Sequence, residues 1–160
     1  MTAPAPTAIP IPELEELIRE GVPLVGSFGI TIDELVAGRV RMCMPYKTEF
    51  VRPGGTVMGP AMFGLADVAL YAAVLSAIGR VELAVTTSMT INFLKRPPPV
   101  AMIAEARLLK LGKRLAYGEV LLFSDDDSEE PVAHATGTYS IPPHAPVTIA
   151  VSGYQDSNSD

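Results

Sequence analysis

The order of elements in the sequence predicts an α+β domain: a short helix, two strands, one long apolar helix, then four more strands. Three observations carry that expectation. From residue 60 to residue 78 nearly every residue is Ala, Leu, Val, Met, Phe, Tyr or Gly, with Pro60 suited to the first helical position and Gly79 to the stop. After it, Val85, Thr87, Met89, Ile91 and Phe93 keep a two-residue period, the signature of a half-buried strand. Short turns separate the later segments, as between antiparallel neighbours.

In chain order, residues 1–12 are rich in Pro and Ala and read as a flexible N-terminus; they lack the basic start and apolar core of a signal peptide. The domain proper is expected over 13–141. Residues 13–20 form an amphipathic helix with Leu14, Leu17 and Ile18 on one face, Pro12 at its start and Gly21 past its end. From 24 to 50 the pattern is strand-like. Phe28, Ile30 and Ile32 alternate, and a turn over 36–40 leads into a strand at 41–44. The long helix follows, apolar all round and so expected inside a core or at a subunit contact.

Four strands are then predicted over 84–94, 100–111, 115–124 and 132–141. The second ends at the turn Leu111-Gly-Lys113, and in the third Tyr117, Glu119 and Leu121 alternate against Ala116, Val120 and Leu122. The acidic run 125–130 reads as a solvated hairpin loop. The tail, 142–160, is Pro-rich then Ser/Asp-rich and is expected to fray, with 147–151 a candidate addition to a sheet edge.

At 160 residues, 48% hydrophobic and 19% charged, the chain fits one folded, soluble domain. A net charge of −6 argues against nucleic-acid binding. The apolar run 61–78 is interrupted by Asp67, Ser76 and Gly64 and makes a poor membrane span, so cytoplasmic residence with no membrane partner is the expectation. The single cysteine, Cys43, excludes an internal disulfide and reads as a buried inert thiol. His134 and His144 have no metal-site spacing, and no Gly-x-Ser-x-Gly elbow occurs.

The one charge on the long helix is Asp67. A carboxylate in an apolar setting is costly unless solvated, paired or shifted in pKa, which makes it the first catalytic candidate. Its bland alternative is a structural carboxylate paired with Arg52 or with backbone.

Four motifs occur in order: Gly59-Pro-Ala-Met-Phe-Gly-Leu-Ala-Asp67, Thr86-Thr-Ser-Met-Thr-Ile-Asn-Phe-Leu-Lys-Arg-Pro97, Leu111-Gly-Lys-Arg-Leu115 and Ala133-His-Ala-Thr-Gly-Thr-Tyr139. Together they resemble the hotdog-fold acyl-CoA thioesterases, nearest the PaaI-like branch of the phenylacetate pathway, over residues 28–141. The resemblance implies a hotdog fold, with an antiparallel six-stranded sheet wrapped around the central helix. It also implies a homodimer, often a dimer of dimers, and hydrolysis of a coenzyme A thioester with no metal or cofactor beyond the coenzyme A of the substrate. Asp67 falls on the family's catalytic carboxylate, and Gly59 on the helix-start glycine whose N–H polarises the thioester carbonyl. Arg52 stands where the family usually has Asn or Gln, Met58 where it usually has His, and Pro60 replaces the second glycine of the usual His-Gly-Gly. Arg52 brings a cation able to pair with Asp67 or to bind an acidic acyl group.

Thioester hydrolysis needs donors aimed at the developing oxyanion, worth on the order of 3 kcal/mol each, and a helix N-terminus supplies them. Asp67 then acts as general base toward water or as the attacking nucleophile. Gly59 and Asp67 are eight residues apart, roughly 12 Å along one helix. They cannot touch the same carbonyl, so a shared site requires Asp67 from one subunit and Gly59 from its partner.

Tyr71, one turn after Asp67, is placed either on the substrate or carboxylate or in the core. Thr87, within the cluster 86–88, is a strand residue that could line the site. The basic pairs Lys95-Arg96 and Lys113-Arg114 are candidates for the coenzyme A phosphates. Two other readings compete: a non-catalytic hotdog module holding an acyl-CoA or small acid, favoured by Met58 and Arg52, and a hydratase, which lacks the histidine it would need near Asp67.

Overall fold

The computed structural model describes residue 3 and residues 5–143, and the segment 147–151 lies outside them. Its centre is α3 (Gly59–Ile78), which packs along one face of a six-stranded sheet. Pro60 lies in the first turn of α3, and at its end Gly79 takes φ 86° while its N–H donates to Leu75 O at 2.8 Å. That backbone conformation favours glycine, so the stop read from sequence has its physical cause.

The strands are β1 (Thr31–Val36), β2 (Arg39–Met44), β5 (Val85–Phe93), β6 (Met102–Leu111), β7 (Leu115–Ser124) and β8 (Ala133–Ser140), in the order β1-β2-β6-β7-β8-β5 with every pair antiparallel. A separate two-stranded hairpin, β3 (Val51–Arg52) and β4 (Thr56–Val57), leads into α3. The expected fold is the observed one.

The sheet is cut to receive the helix. Gly118 on β7 and Gly137 on β8 are direct cross-strand partners. A methyl group on Gly118 would stand 2.6 Å from Leu70 Cδ1, and one on Gly137 would stand 2.8 Å from Leu70 Cδ2. The two glycines therefore form a notch that seats Leu70 of α3. Ser76, fully buried on α3, donates to Ala73 O at 2.7 Å and accepts from Gly38 N–H at 2.8 Å, which ties the β1–β2 turn to the helix.

Two sequence expectations shift, while the acidic run 125–130 is the largely exposed β7–β8 loop that was expected. Residues 24–30 are not strand: α1 (Ile11–Gly21) is followed by a second short helix, α2 (Pro23–Gly26), and by a turn that carries Phe28. Pro23 pre-sets helical φ, and Phe28 packs edge-on against Phe50 with ring centroids 4.9 Å apart rather than joining the sheet. The segment ahead of α1 is held on the domain. Ala8 N–H donates to Ser76 O at 2.7 Å, and Ile9 is buried. The acidic loop after β7 is anchored by Lys95, whose Nζ lies 2.6 Å from Glu130 and 3.2 Å from Asp127.

Candidate active site

Asp67 lies in the third turn of α3, half-buried, with its side chain turned toward the β5–β8 end of the sheet. Thr86 Oγ1 donates to Asp67 Oδ1 at 2.7 Å, and Tyr139 Oη donates to the same oxygen at 2.6 Å. Both hydroxyls converge on Oδ1, and Oδ2 has no partner among the described residues. Thr86 and Tyr139 are cross-strand partners on β5 and β8, so one rung of the sheet supplies both donors.

This corrects the expectation for Thr87. The β5–β8 register steps from Thr86 to Ser88 on one strand while moving only from Tyr139 to Thr138 on the other. Thr87 is the extra residue of a β-bulge. It is exposed, and its hydroxyl donates to Thr138 O at 3.2 Å. A bulge re-aims the side chains on either side of it, so Thr86 joins the face that carries Met89 and Ile91.

Tyr139 is 3% exposed. Burial first, then the charge of Asp67 and the hydrogen bond to it, push its phenol far above the ordinary value, so it keeps its proton and remains a donor. Tyr71 stacks on Tyr139 with ring centroids 6.0 Å apart and donates to Glu82 O at 3.2 Å. Its phenol is pushed up to about 12, chiefly by burial and then by Glu82. It braces Tyr139 rather than the carboxylate.

A cavity of about 420 Å³ opens beside this group, lined by Asp67, Thr86, Tyr139 and Tyr71 together with apolar residues of α1, α2 and α3. A larger depression of about 630 Å³ lies on the outward face of β1, β2, β6 and β7 among Arg39, Arg41, Glu105, Arg107 and Glu119. It does not reach Asp67; within it Arg41 pairs with Glu105, and Arg107, with His134, pairs with Glu119, while Arg39 has no ion pair among the described residues.

A second group gathers at the start of α3. Gly59 is the first helical residue, with Met58 before it and exposed Pro60 after it. The Gly59 N–H has no hydrogen-bond partner among the described residues, as helix geometry dictates for a first-turn amide. The β3–β4 hairpin turns through Gly54 (φ 99°) and Gly55 (φ 75°), and Met58 N–H donates to Phe50 O at 2.7 Å. That hairpin carries exposed Arg52 at the same end of α3 as Gly59. Among the described residues Arg52 makes no ion pair with Asp67, so the structural pairing considered for the carboxylate is replaced by the two hydroxyls.

The basic pairs do not converge within one chain. Val85 at the start of β5 pairs with Ser140, which pairs with Leu115 beside Lys113-Arg114. Phe93 at the other end precedes Lys95-Arg96, nine strand residues away, or roughly 30 Å. Lys95 is occupied by the acidic loop, whereas Arg96 has no ion pair among the described residues.

Sequence reasoning missed Tyr139 and chose the wrong threonine of its cluster. The signal for Tyr139 was present: Ala133, Ala135 and Gly137 alternate as small inward residues, and Tyr139 closes that row as its one large, hydroxyl-bearing member.

The chain is similar to several known proteins in sequence and in fold. The sequence profile of the Thioesterase superfamily matches residues 54–130, a span that holds Gly59, Asp67 and Thr86. A structure from Silicibacter sp., provisionally assigned as a thioesterase, is 44% identical with TM-score 0.77, covering 86% of this chain and 94% of that one. A Saccharolobus solfataricus protein, provisionally named an esterase, is 28% identical over 131 residues, covering 82% of this chain and 85% of its own length. The PaaI protein of the E. coli phenylacetic acid degradation operon is 21% identical with TM-score 0.67, covering 79% of this chain and 94% of that one, a likeness of fold.

Proposed function

The chain belongs to the thioesterase superfamily, and from that premise we propose that it hydrolyses acyl-CoA thioesters, with a medium-chain or aryl acyl group, to the free acid and coenzyme A. The observation that carries this reading is the state of Asp67: Oδ1 accepts from Thr86 and Tyr139, while Oδ2, beside an apolar cavity, has no partner among the described residues. A carboxylate fixed in this way presents one oxygen in one direction, as a general base or nucleophile requires.

The reaction needs a donor for the oxyanion, and the Gly59 N–H, without a partner among the described residues, fits that role. Because Gly59 and Asp67 lie on one helix, a complete site combines Asp67, Thr86 and Tyr139 of one subunit with Gly59 and Arg52 of its partner. Edge strand β5 supports such a dimer: among the described residues it is unpaired on one side, and Val85, Phe93 and Leu94 at its ends are each more than half exposed. From Oδ2, Asp67 either draws a proton from water or attacks the carbonyl. The residues named supply every group the reaction needs, without a metal or cofactor.

The deciding experiment follows thiol release from a panel of acyl- and aryl-CoA thioesters with the wild type and Asp67→Asn. Turnover that falls at least a hundredfold in a folded variant supports the reading. Equal turnover in both removes Asp67 from the reaction, and binding without turnover in either favours the non-catalytic module.

A further inference from the structure

Resting on the thioesterase reading, we propose that Phe93 is a positioning residue for the oxyanion donor: its ring closes over Gly59 at the start of α3 and keeps water off that amide. A methyl group on Gly59 would stand 3.3 Å from Phe93 Cζ, and 3.8 and 3.9 Å from Cε1 and Cε2. The tip of the ring therefore rests against the residue that carries the N–H. Gly59 is not among the glycines with positive φ, so its backbone does not call for glycine. The ring does, since a larger side chain at this position would displace it.

The two surfaces that meet here are fixed separately. Two-residue spacing places Phe93 on the face of β5 that carries Met89 and Ile91, both packed against the core. Phe93 pairs with buried Ala133 on β8, and just beyond it the N–H groups of Leu94 and Lys95 both donate to Val132 O, at 2.9 and 3.2 Å. On the other side, Met58 N–H donates to Phe50 O and holds the chain as it enters α3. Phe93 is itself 53% exposed, so core burial does not account for where its ring lies.

A hydrated N–H must shed water before it donates to an oxyanion. An apolar ring against it excludes that water and leaves the donor arranged in advance for the charge that develops. The other half of the site hangs from the same strand: Thr86, which holds Asp67, is seven residues from Phe93, or roughly 24 Å along β5. Pairing of β5 with its copy about a two-fold axis is antiparallel, which brings the Thr86 end of one strand to the Phe93 end of the other. Each β5 then supports the carboxylate of one site and the oxyanion donor of the second.

The test reads the amide directly as well as the rate. Amide–water exchange is measured by NMR on 15N-glycine-labelled protein, and steady-state kinetics on octanoyl-CoA, for the wild type, Phe93→Ala, Phe93→Leu and Phe93→Tyr. Sedimentation checks that each variant keeps the wild-type assembly. The reference is Gly54, exposed and with no partner for its N–H among the described residues. Expected in the wild type is exchange at Gly59 about tenfold slower than at Gly54. In Phe93→Ala the two rates should converge, with kcat lowered about tenfold and KM little changed, while Phe93→Tyr retains both protection and rate. Phe93→Leu carries the comparison if Phe93→Ala does not assemble. Gly59 exchanging as fast as Gly54 in the wild type overturns the shield without any variant. Unchanged exchange, unchanged kcat or a loss confined to KM in the assembled variants also overturns it, and leaves hydrolysis standing. Protection that Phe93→Ala abolishes, in a protein that turns over no thioester, keeps the shield and removes hydrolysis.

Discussion

The hydroxyl of Tyr139 lies 2.6 Å from Oδ1 of Asp67, a residue 72 positions earlier in the chain. With Thr86 on the same oxygen, this contact makes the carboxylate asymmetric: one oxygen held, the other without a partner among the described residues. Tyr139→Phe keeps the ring stacked on Tyr71 and deletes only the donor. The expected outcome is a kcat lowered about tenfold to a hundredfold with KM little changed, because a misaimed catalytic group loses rate rather than binding. Steady-state kinetics on Tyr139→Phe and Thr86→Val check this, and the double variant is expected to fall further than either alone.

Why the sequence pointed to Thr87 is instructive. Alternation from Val85 to Phe93 places Thr87 on the same face as Met89, and no side chain between them signals a break. The break is a bulge, specified by pairing with β8 rather than by local preference. The α3 helix, by contrast, was legible because its apolar run, Pro60 and Gly79 act locally. The β1–β2 pair was legible from residue 31 onward, but Phe28 and Ile30 extended the alternation falsely, since α2 is only four residues long. The remoteness of the two basic pairs required the strand order, which no local pattern carries.

The glycine notch predicts a stability effect. Gly118→Ala and Gly137→Ala each insert a methyl group against Leu70, and against Arg107 O at 2.6 Å or Ser88 O at 3.1 Å. Backbone cannot yield as a side chain can, so each is expected to cost about 1–3 kcal/mol. Thermal or urea unfolding measures it, and Leu70→Ala should recover part of the loss in the Gly137 background by opening the notch.

A pH effect follows from the outward face. His134 first, then Arg107, lower the Glu119 carboxyl below its ordinary value of 4.5. A group depressed in the folded state stabilises above its unfolded value and loses that contribution as pH falls through the folded value. Glu119→Gln is therefore expected to lower stability at neutral pH by about 0.5–1 kcal/mol. The gap between variant and wild type should close as the pH falls below about 4.5. Melting curves from pH 3 to 7 measure it.

The shared site itself yields the strictest prediction. Asp67→Asn removes the carboxylate from a chain whose Gly59 is intact. Gly59→Pro removes the amide donor from a chain whose Asp67 is intact, at a helical position where proline is tolerated. Each variant alone is expected to be inactive. In a two-fold dimer built from one of each, one site receives both lesions and the other receives none. Unfolding and refolding the two together at equal concentrations makes half the dimers hybrid, so activity should return to about a quarter of the wild type. Recovery near that level would place Asp67 and Gly59 on different subunits of one site. Inactivity of a mixture that demonstrably contains hybrids would mean that the Gly59 amide and Asp67 do not meet across the dimer.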